Sequence, residues 1–221
     1  MIEKFDLFCF DFDGLLVDSE SLHKQAYELA LKEFSLLGAI GFYDYCFAAH
    51  YPTGNRLKDL YCSLFSQLDD PMWEEVVKKK QKHYAGLLAQ SPLSLMPYAE
   101  TMIETLLSNG KALCVVTNSR CQYTIPFRKA LPILEEIPLW ITRDDVAKAK
   151  PHPDGFLKAL AHHPNVPKSR ALGLDDALKG ITAIVNAQIT PILVCSKDHP
   201  QLALISPTLI HVESLEDLLK S

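Results

Sequence analysis

Short apolar runs alternate with helix-like stretches along most of the chain. An apolar run that stops at Asp11 predicts a buried strand, and the pattern repeats after Pro97. Further strand-like runs lie at about 111–117, 139–142, 171–175, 191–195 and 209–212. Helix-like patterns lie between them at about 99–107, 122–131, 155–162, 178–187 and 213–220. Strands that alternate with helices predict an α/β fold with a parallel sheet covered on both faces.

The segment after the first strand has a different pattern. From Ser19 to about Leu88, apolar positions recur at helical spacing and no long strand-like run interrupts them. This block is too long for an ordinary crossover connection, so we interpret it as an inserted helical domain. We assign residues 18–88 to the insertion and residues 1–17 and 89–221 to the sheet-containing core.

Composition narrows the class of protein. The chain has 221 residues, of which 48% are hydrophobic and 22% charged, and a formal net charge of −5. These values are typical of a globular protein and argue against general nucleic-acid binding. The six cysteines show no CxxC pair and no histidine-rich spacing, which favours free thiols over a disulfide framework or a zinc site. With no signal-peptide or membrane-spanning pattern, we expect a cytoplasmic protein without a membrane partner.

Two strand-like runs end in pairs of carboxylates. Asp11 and Asp13 follow the first run, and Asp175 and Asp176 follow the run at 171–175. Such residues can also form a solvated turn, or an N-cap for the helix that begins near Leu178. Carboxyl ends of parallel strands meet at one edge of the sheet, so the four carboxylates could instead form a site for Mg²⁺.

Two other segments could supply phosphate contacts. Thr117 follows the strand-like run at 111–117 and precedes a helix whose N-terminal amides could bind an anion, although Thr117 and Ser119 could merely cap that helix. Lys150 precedes Pro151, which favours an extended backbone that could direct the ammonium toward the carboxylates. A solvated basic loop is the alternative for Lys150.

Taken in order, these motifs resemble the haloacid dehalogenase superfamily, and most of all its branch of β-phosphoglucomutase and small sugar-phosphate phosphatases. The resemblance rests on motifs spread over almost the whole chain: Asp11-Phe12-Asp13-Gly14, Asp18-Ser19-Glu20-Ser21-Leu22-His23, Thr117-Asn118-Ser119, Lys150-Pro151, and Asp175-Asp176 followed by Gly180-Ile181. It implies a Rossmann-like, doubly wound parallel sheet with an inserted all-helical cap domain.

The resemblance also implies roles at the carboxylate edge. Asp11 would be the nucleophile that forms an aspartyl-phosphate, and Asp13 the general acid and base. Mg²⁺ would bind the Asp11 carboxylate, the Asp13 backbone carbonyl and Asp176, with Asp175 assisting directly or through water. The residues that would hold the phosphoryl oxygens are Thr117, Asn118 and Lys150.

Substrate contacts are implied for four more residues, which are His23, Arg56, Lys80 and Arg120. For each of them a role as a surface side chain is the alternative. The chain departs from the family pattern at Asp175, where glutamate is common, at Ala177, where serine is frequent, and at Gln188, where glycine is frequent. These departures bear on metal affinity and efficiency more than on the type of reaction.

We therefore expect a Mg²⁺-dependent phosphatase that hydrolyses a small phosphorylated metabolite, such as a sugar phosphate, and works as a monomer or weak homodimer. Two alternatives stay open. One is a sugar phosphomutase like β-phosphoglucomutase, and the other is a catalytically silent binding or regulatory protein. A dehalogenase is disfavoured, because halide displacement has no use for the second aspartate or for the paired metal carboxylates.

Overall fold

Short parallel strands form a single sheet in residues 2–220, the part of the chain that this computed structural model describes. The strands are β1 (Leu7–Phe10), β2 (Ala112–Val116), β3 (Leu139–Ile141), β4 (Ala171–Asp175), β5 (Thr190–Val194) and β6 (Ile210–Val212). Their order is β3-β2-β1-β4-β5-β6, and every pairing is parallel. The prediction of a Rossmann-like α/β fold is confirmed. The order reverses at β1, and ligands of such sheets bind at the carboxyl ends of the strands beside that point.

The helices fall into two groups along the chain. Four lie between β1 and residue 92, namely α1 (Glu20–Lys32), α2 (Phe42–His50), α3 (Arg56–Leu64) and α4 (Asp70–Gln90). The others connect or follow strands, namely α5 (Ala99–Ser108), α6 (Cys121–Ala130), α7 (Asp154–His162), α8 (Leu178–Ala187) and α9 (Leu215–Leu219). Within residues 2–220, no helix is long and apolar enough to cross a membrane.

Side chains of β1 alternate between the two faces of the sheet, and helices cover both. Leu7 and Cys9 belong to a buried cluster with Phe156 of α7 and Ile184 of α8. Phe8 points to the opposite face, where a small cavity is bounded by Phe8, Met102 of α5 and Leu218 of α9, among others. Burial on both faces explains why the strands read as continuous apolar runs rather than as alternating ones.

Two compact units share the chain. One contains everything up to Asp18 together with everything from Leu93 onward, and the other spans 19–92. We call them the sheet unit and the helical unit. The helical unit has its own buried cluster, which includes Leu31, Tyr61 and Trp73. The predicted junction after residue 88 lies inside α4, because that helix continues to Gln90.

The chain leaves and re-enters the sheet unit through two hydrogen-bonded segments. Gly14 has a φ of 79°, a left-handed conformation that suits glycine, and its amide donates to the Val17 carbonyl at 2.9 Å. Val17 then pairs with Leu95 in an antiparallel bridge. The Asp18 amide donates to the Ser94 carbonyl at 3.0 Å, so the segment that leads into the insertion lies beside the segment that follows it.

Several predicted elements start or stop at different residues from those the pattern indicated. The clearest case is α9, which begins at Leu215 and not at residue 213. The side chains of Ser214 and Asp217 form a reciprocal capping box that sets this start. The amide of Glu213 donates to the Asp217 carboxylate at 3.0 Å and therefore stays outside the helix.

Candidate active site

Three buried carboxylates meet at the carboxyl edge of the sheet. Asp11 directly follows β1, Asp175 is the last residue of β4, and Asp176 follows it. Only 8% of Asp11, 1% of Asp175 and 8% of Asp176 is exposed. One carboxylate oxygen from each lies within 4.8 Å of the others. The Asp11 amide donates to the Leu174 carbonyl at 2.9 Å, which extends the pairing of β1 with β4 and sets the carboxylates beside each other.

Lys150 lies between two of these carboxylates. Its Nζ is 2.5 Å from Asp11 Oδ1 and 2.7 Å from Asp175 Oδ2, and the lysine is 8% exposed. Burial acts to lower the pKa of Lys150, but the charges of Asp11 and Asp175 outweigh burial and raise it. The ammonium therefore stays protonated. The alternative of a solvated basic loop does not describe this residue.

The cluster has more negative charge than Lys150 can balance. Burial raises the pKa of Asp11 to about 7; Lys150 opposes this rise, whereas the charges of Asp175 and Asp13 add to it. Carboxylates that lie close together are expensive to keep ionised in a buried setting. Carboxylate oxygens are the ligands that a hard divalent cation prefers, so Asp11, Asp175 and Asp176 fit the expected Mg²⁺.

A glycine on α8 makes room for the Asp175 carboxylate. The Ala177 amide donates to Asp175 Oδ1 at 3.0 Å, while a Cβ built on Gly180 would lie 1.8 Å from Asp175 Oδ2. Any side chain at position 180 would therefore occupy the place of this carboxylate. The N-cap of α8 is Ala177, so neither Asp175 nor Asp176 is the N-cap residue that the alternative interpretation assumed.

Gln201 binds the backbone around Asp176, although no sequence motif marks this residue. Its Nε2 donates to the Asp176 carbonyl at 2.6 Å, and its Oε1 accepts from the Leu178 amide at 3.3 Å. The side chain is almost fully buried. Gln201 lies in a short 3₁₀ helix after β5 that has no recognisable motif, so only the structure reveals this contact.

Asp13 lies next to the cluster but outside β1, in an isolated bridge with Val17. Its Oδ2 accepts a hydrogen bond from the Ser119 hydroxyl at 2.5 Å. Ser119 was considered only as a possible helix cap, yet the N-cap of α6 is Arg120, which makes no side-chain cap bond. Its place two residues after Thr117 in the motif was the signal that could have identified it.

Asn118 binds the backbone of Lys150, whereas Thr117 accepts a hydrogen bond from nearby Ser119. Thr117 is buried after β2, and its Oγ1 accepts from the Ser119 amide at 2.9 Å. Asn118 Nδ2 donates to the Lys150 carbonyl at 3.1 Å, and Asn118 Oδ1 accepts from the Lys150 amide at 2.9 Å. Both ends of the Asn118 amide thus bind the backbone of Lys150, which positions the lysine.

The first amide of α6 is engaged elsewhere. The sequence allows the N-terminal amides of this helix to bind an anion, and in the structure the first of them, that of Cys121, donates to Asp144 Oδ2 at 2.9 Å. Arg120 is exposed and lies 3.3 Å from Asp144 Oδ1. Arg120 is therefore paired with Asp144 and is not part of the carboxylate cluster.

Comparison with known proteins identifies the family. Residues 8–194 match the family model described as haloacid dehalogenase-like hydrolase. The chain belongs to this family. This hydrolase is 29% identical over 189 residues to Protein CbbY of Cereibacter sphaeroides, a match that covers 80% of the chain and 79% of the relative. It is 26% identical over 191 residues to a probable pseudouridine-5′-phosphatase of Drosophila melanogaster, covering 84% and 79% respectively.

A solved structure shows the same fold at lower identity. The crystal structure of a predicted phosphoglycolate phosphatase from Haemophilus somnus 129pt has a TM-score of 0.79 and 21% identity to this chain. The alignment covers 98% of the hydrolase and 97% of that protein. Both units of this chain therefore have counterparts in that structure.

Three residues predicted to contact substrate belong to the helical unit. Lys80 Nζ lies 2.7 Å from His23 Nδ1 and 4.6 Å from the centre of the Tyr84 ring, on which the His23 ring stacks at 3.9 Å. His23 and Lys80 thus come together in this unit, while Arg56 is exposed and its guanidinium lies 4.1 Å from the centre of the Tyr51 ring. Their contact with substrate stays a prediction.

Proposed function

We propose that this hydrolase is a Mg²⁺-dependent phosphatase that acts on a small phosphorylated metabolite, such as a sugar phosphate, through an aspartyl-phosphate. The observation that carries the proposal is the Lys150 ammonium, 2.5 Å from Asp11 and 2.7 Å from Asp175 in a buried carboxylate cluster. This places a fixed positive charge beside a carboxylate that could attack an anionic phosphate. Phosphoryl transfer depends mainly on such positioning and charge compensation.

In the first step, a carboxylate oxygen of Asp11 attacks phosphorus, and the bond from phosphorus to the ester oxygen breaks. The departing oxygen takes a proton from Asp13, and the phosphoryl group stays on Asp11. Lys150 offsets the repulsion between the carboxylate and the phosphate oxygens. Asn118 supports this role, because it binds both backbone polar groups of Lys150.

In the second step, water replaces Asp11 on phosphorus. Asp13 accepts the proton of the attacking water, the bond from Asp11 to phosphorus breaks, and inorganic phosphate leaves. The hydrogen bond from Ser119 to Asp13 Oδ2 holds that carboxylate in one orientation through both steps. The family resemblance implies that Thr117, which follows β2, also contacts the transferring group.

Asp11, Asp175 and Asp176 would hold Mg²⁺, and the Asp13 backbone carbonyl is the further ligand that the family resemblance implies. When bound, the cation would supply charge neutralisation at the phosphate oxygens. Gly180 and Gln201 serve this set indirectly. Gly180 leaves space for the Asp175 carboxylate, and Gln201 binds the backbone of Asp176.

The names of the relatives agree with this type of reaction. The Drosophila relative is named as a phosphatase of a phosphorylated nucleoside, a small metabolite that contains a sugar phosphate. We extend that class of substrate, and not the individual compound, to this hydrolase.

Release of inorganic phosphate tests the proposal. The purified full chain is assayed with an aryl phosphate and a panel of phosphorylated metabolites, with Mg²⁺ and with a chelator. We expect Mg²⁺-dependent release, no measurable turnover by Asp11→Asn, and a loss of about 10²–10⁴-fold in Asp13→Asn. Asp59→Asn, the same change on the exposed face of α3, should keep the wild-type rate.

Either of two results would overturn the proposal. One is a folded wild-type protein that releases no phosphate from any compound, which would favour the catalytically silent alternative. The other is an Asp11→Asn variant that retains the wild-type rate, which would remove Asp11 as the nucleophile.

A further inference from the structure

A second cluster of metal-ligating side chains lies inside the helical unit. Cys46 and His50 are four residues apart on α2, and Glu20 is the first residue of α1. One ligand atom from each of the three residues lies within 4.8 Å of the others. Residues at i and i+4 share one face of a helix, which is the arrangement by which helices often present two ligands to one metal ion.

The setting of this cluster is largely closed to solvent. Cys46 and His50 are each 4% exposed, and the Glu20 side chain is 15% exposed. His50 Nε2 lies 3.3 Å from Glu20 Oε1. In a tetrahedral zinc site, with ligand bonds of 2.0–2.3 Å, the ligand atoms lie about 3.5 Å apart, so this pair already has a suitable separation.

The ligand types of Glu20, Cys46 and His50 also suit one metal ion. A thiolate, an imidazole and a carboxylate together suit Zn²⁺, whereas Mg²⁺ prefers oxygen ligands alone. Tyr45 is buried beside the same groups, and both Glu20 and Cys46 act electrostatically on its hydroxyl.

We propose that Glu20, Cys46 and His50 form a site for Zn²⁺ or a similar transition-metal ion, with three protein ligands and a fourth position for water or another small ligand. Its three ligands belong to the helical unit, and a thiol and an imidazole distinguish them from the carboxylates of the other cluster. It would join the start of α1 to the last turn of α2 and stabilise the helical unit. Neither a CxxC pair nor histidine-rich spacing marks this site in the sequence, so the prediction of free thiols without a zinc site does not anticipate it.

Cobalt(II) provides a specific probe, since a thiolate bound to Co²⁺ gives a charge-transfer absorption in the near ultraviolet and carboxylates do not. Co²⁺ is titrated into the full chain under a non-thiol reductant, with excess Mg²⁺ present to occupy the carboxylate cluster. We expect one equivalent to produce the thiolate band and Zn²⁺ to abolish it by displacement. Cys46→Ser should lose the band, whereas Cys121→Ser, at an exposed free cysteine, should keep it.

A second measurement covers the case in which Cys46→Ser folds poorly. With excess Mg²⁺ present, Zn²⁺ should raise the melting temperature of the wild type by more than those of His50→Gln and Glu20→Gln. The Zn²⁺ dissociation constant of His50→Gln should rise by more than about tenfold, because loss of an outer-shell partner alone costs 10–100-fold.

The proposal fails if the folded wild type gives no thiolate band, or if the band persists in Cys46→Ser. It also fails if Zn²⁺ raises the melting temperatures of the wild type and His50→Gln equally. None of these outcomes depends on phosphatase activity, so the metal site and the proposed reaction are judged separately.

Discussion

At the scale of single residues, the carboxylate cluster depends on a position that bears no functional group. The Gly180 Cα faces the Asp175 carboxylate so closely that a Cβ would lie 1.9 Å from Asp175 Cγ. Asp175 in turn contacts Lys150 at 2.7 Å. The absence of a side chain at Gly180 therefore allows the Asp175 carboxylate to reach Lys150.

We predict that Gly180→Ala lowers kcat/KM by at least about tenfold and destabilises the fold by about 1–3 kcal/mol, because the methyl group must displace a buried, hydrogen-bonded carboxylate. Phosphate release and denaturant unfolding are the measurements. The matched control is Gly86→Ala on the exposed side of α4, where a Cβ would meet nothing within 4 Å. It should raise stability by about 0.5–1 kcal/mol and leave activity unchanged. Equal activity in the two variants would contradict the prediction.

At the scale of elements, an ion pair joins the segments that lead into two neighbouring strands. Arg170 Nη2 donates to Asp6 Oδ1 at 2.6 Å, and Arg170 Nε contacts Asp6 Oδ2. Asp6 precedes β1 and Arg170 precedes β4. The Arg170 guanidinium holds the pKa of Asp6 below its usual range.

This shift sets the sign of a pH effect. A carboxyl group whose pKa is lower in the folded than in the unfolded chain stabilises the fold at pH values above its unfolded pKa, which is about 3.9 for aspartate. This stabilisation is lost as the pH falls through the pKa of the group in the folded chain. Asp6→Asn should therefore be less stable than the wild type at pH 7, with a difference that shrinks below about pH 4. Urea unfolding between pH 7 and pH 3 measures it. In an Arg170→Gln background the pH-dependent difference should shrink but not vanish, because Lys111 Nζ lies 3.9 Å from Asp6 Oδ1 and also lowers the pKa of Asp6. An undiminished difference would refute the role of Arg170.

The sequence predicts the position of a helix or strand well where buried apolar residues define it. It predicts the position less well where hydrogen bonds from side chains determine the first or last residue. The runs at 171–175 and 178–187 correspond to β4 and α8, because apolar positions alone define them. The start of α9 depends on the capping box of Ser214 and Asp217. Lys150 and the carboxylates could be predicted from motifs at strand ends. Gln201 could not, since its role comes from a contact with Asp176 that lies 25 residues away in the chain.

At the scale of the whole molecule, the two units carry one tryptophan each. Trp73 of α4 lies in the buried cluster of the helical unit. Trp140 of β3 lies in the sheet unit, with its ring centre 5.5 Å from that of Phe12. The chain has just these two tryptophans, so removing either leaves a fluorescence signal from a single unit.

We predict that weakening α4 shifts the two signals unequally. Asp69 is the N-cap of this helix, and its side chain accepts from the Met72 amide. Asp69→Ala should cost about 0.5–2 kcal/mol. In a Trp140→Phe background, where only Trp73 fluoresces, the full loss of stability should be seen. In a Trp73→Phe background, where only Trp140 fluoresces, the loss should be smaller, because the buried clusters of the two units are separate. Denaturant titrations of both pairs make the test. Identical shifts would show that the units unfold as one.

The paired entry and exit of the insertion have an evolutionary consequence. Val17 bridges Leu95, and the Met96 amide donates to the Leu16 carbonyl at 2.9 Å, so the sheet unit itself ties the two chain crossings together. The entropy of closing a loop grows only slowly with its length, so an anchored gap of this kind can accommodate long or short inserts at similar cost. Residues 19–92 form a compact unit that an insertion of another length could therefore replace. Evolution could replace this segment while the carboxylates at the strand ends stay unchanged.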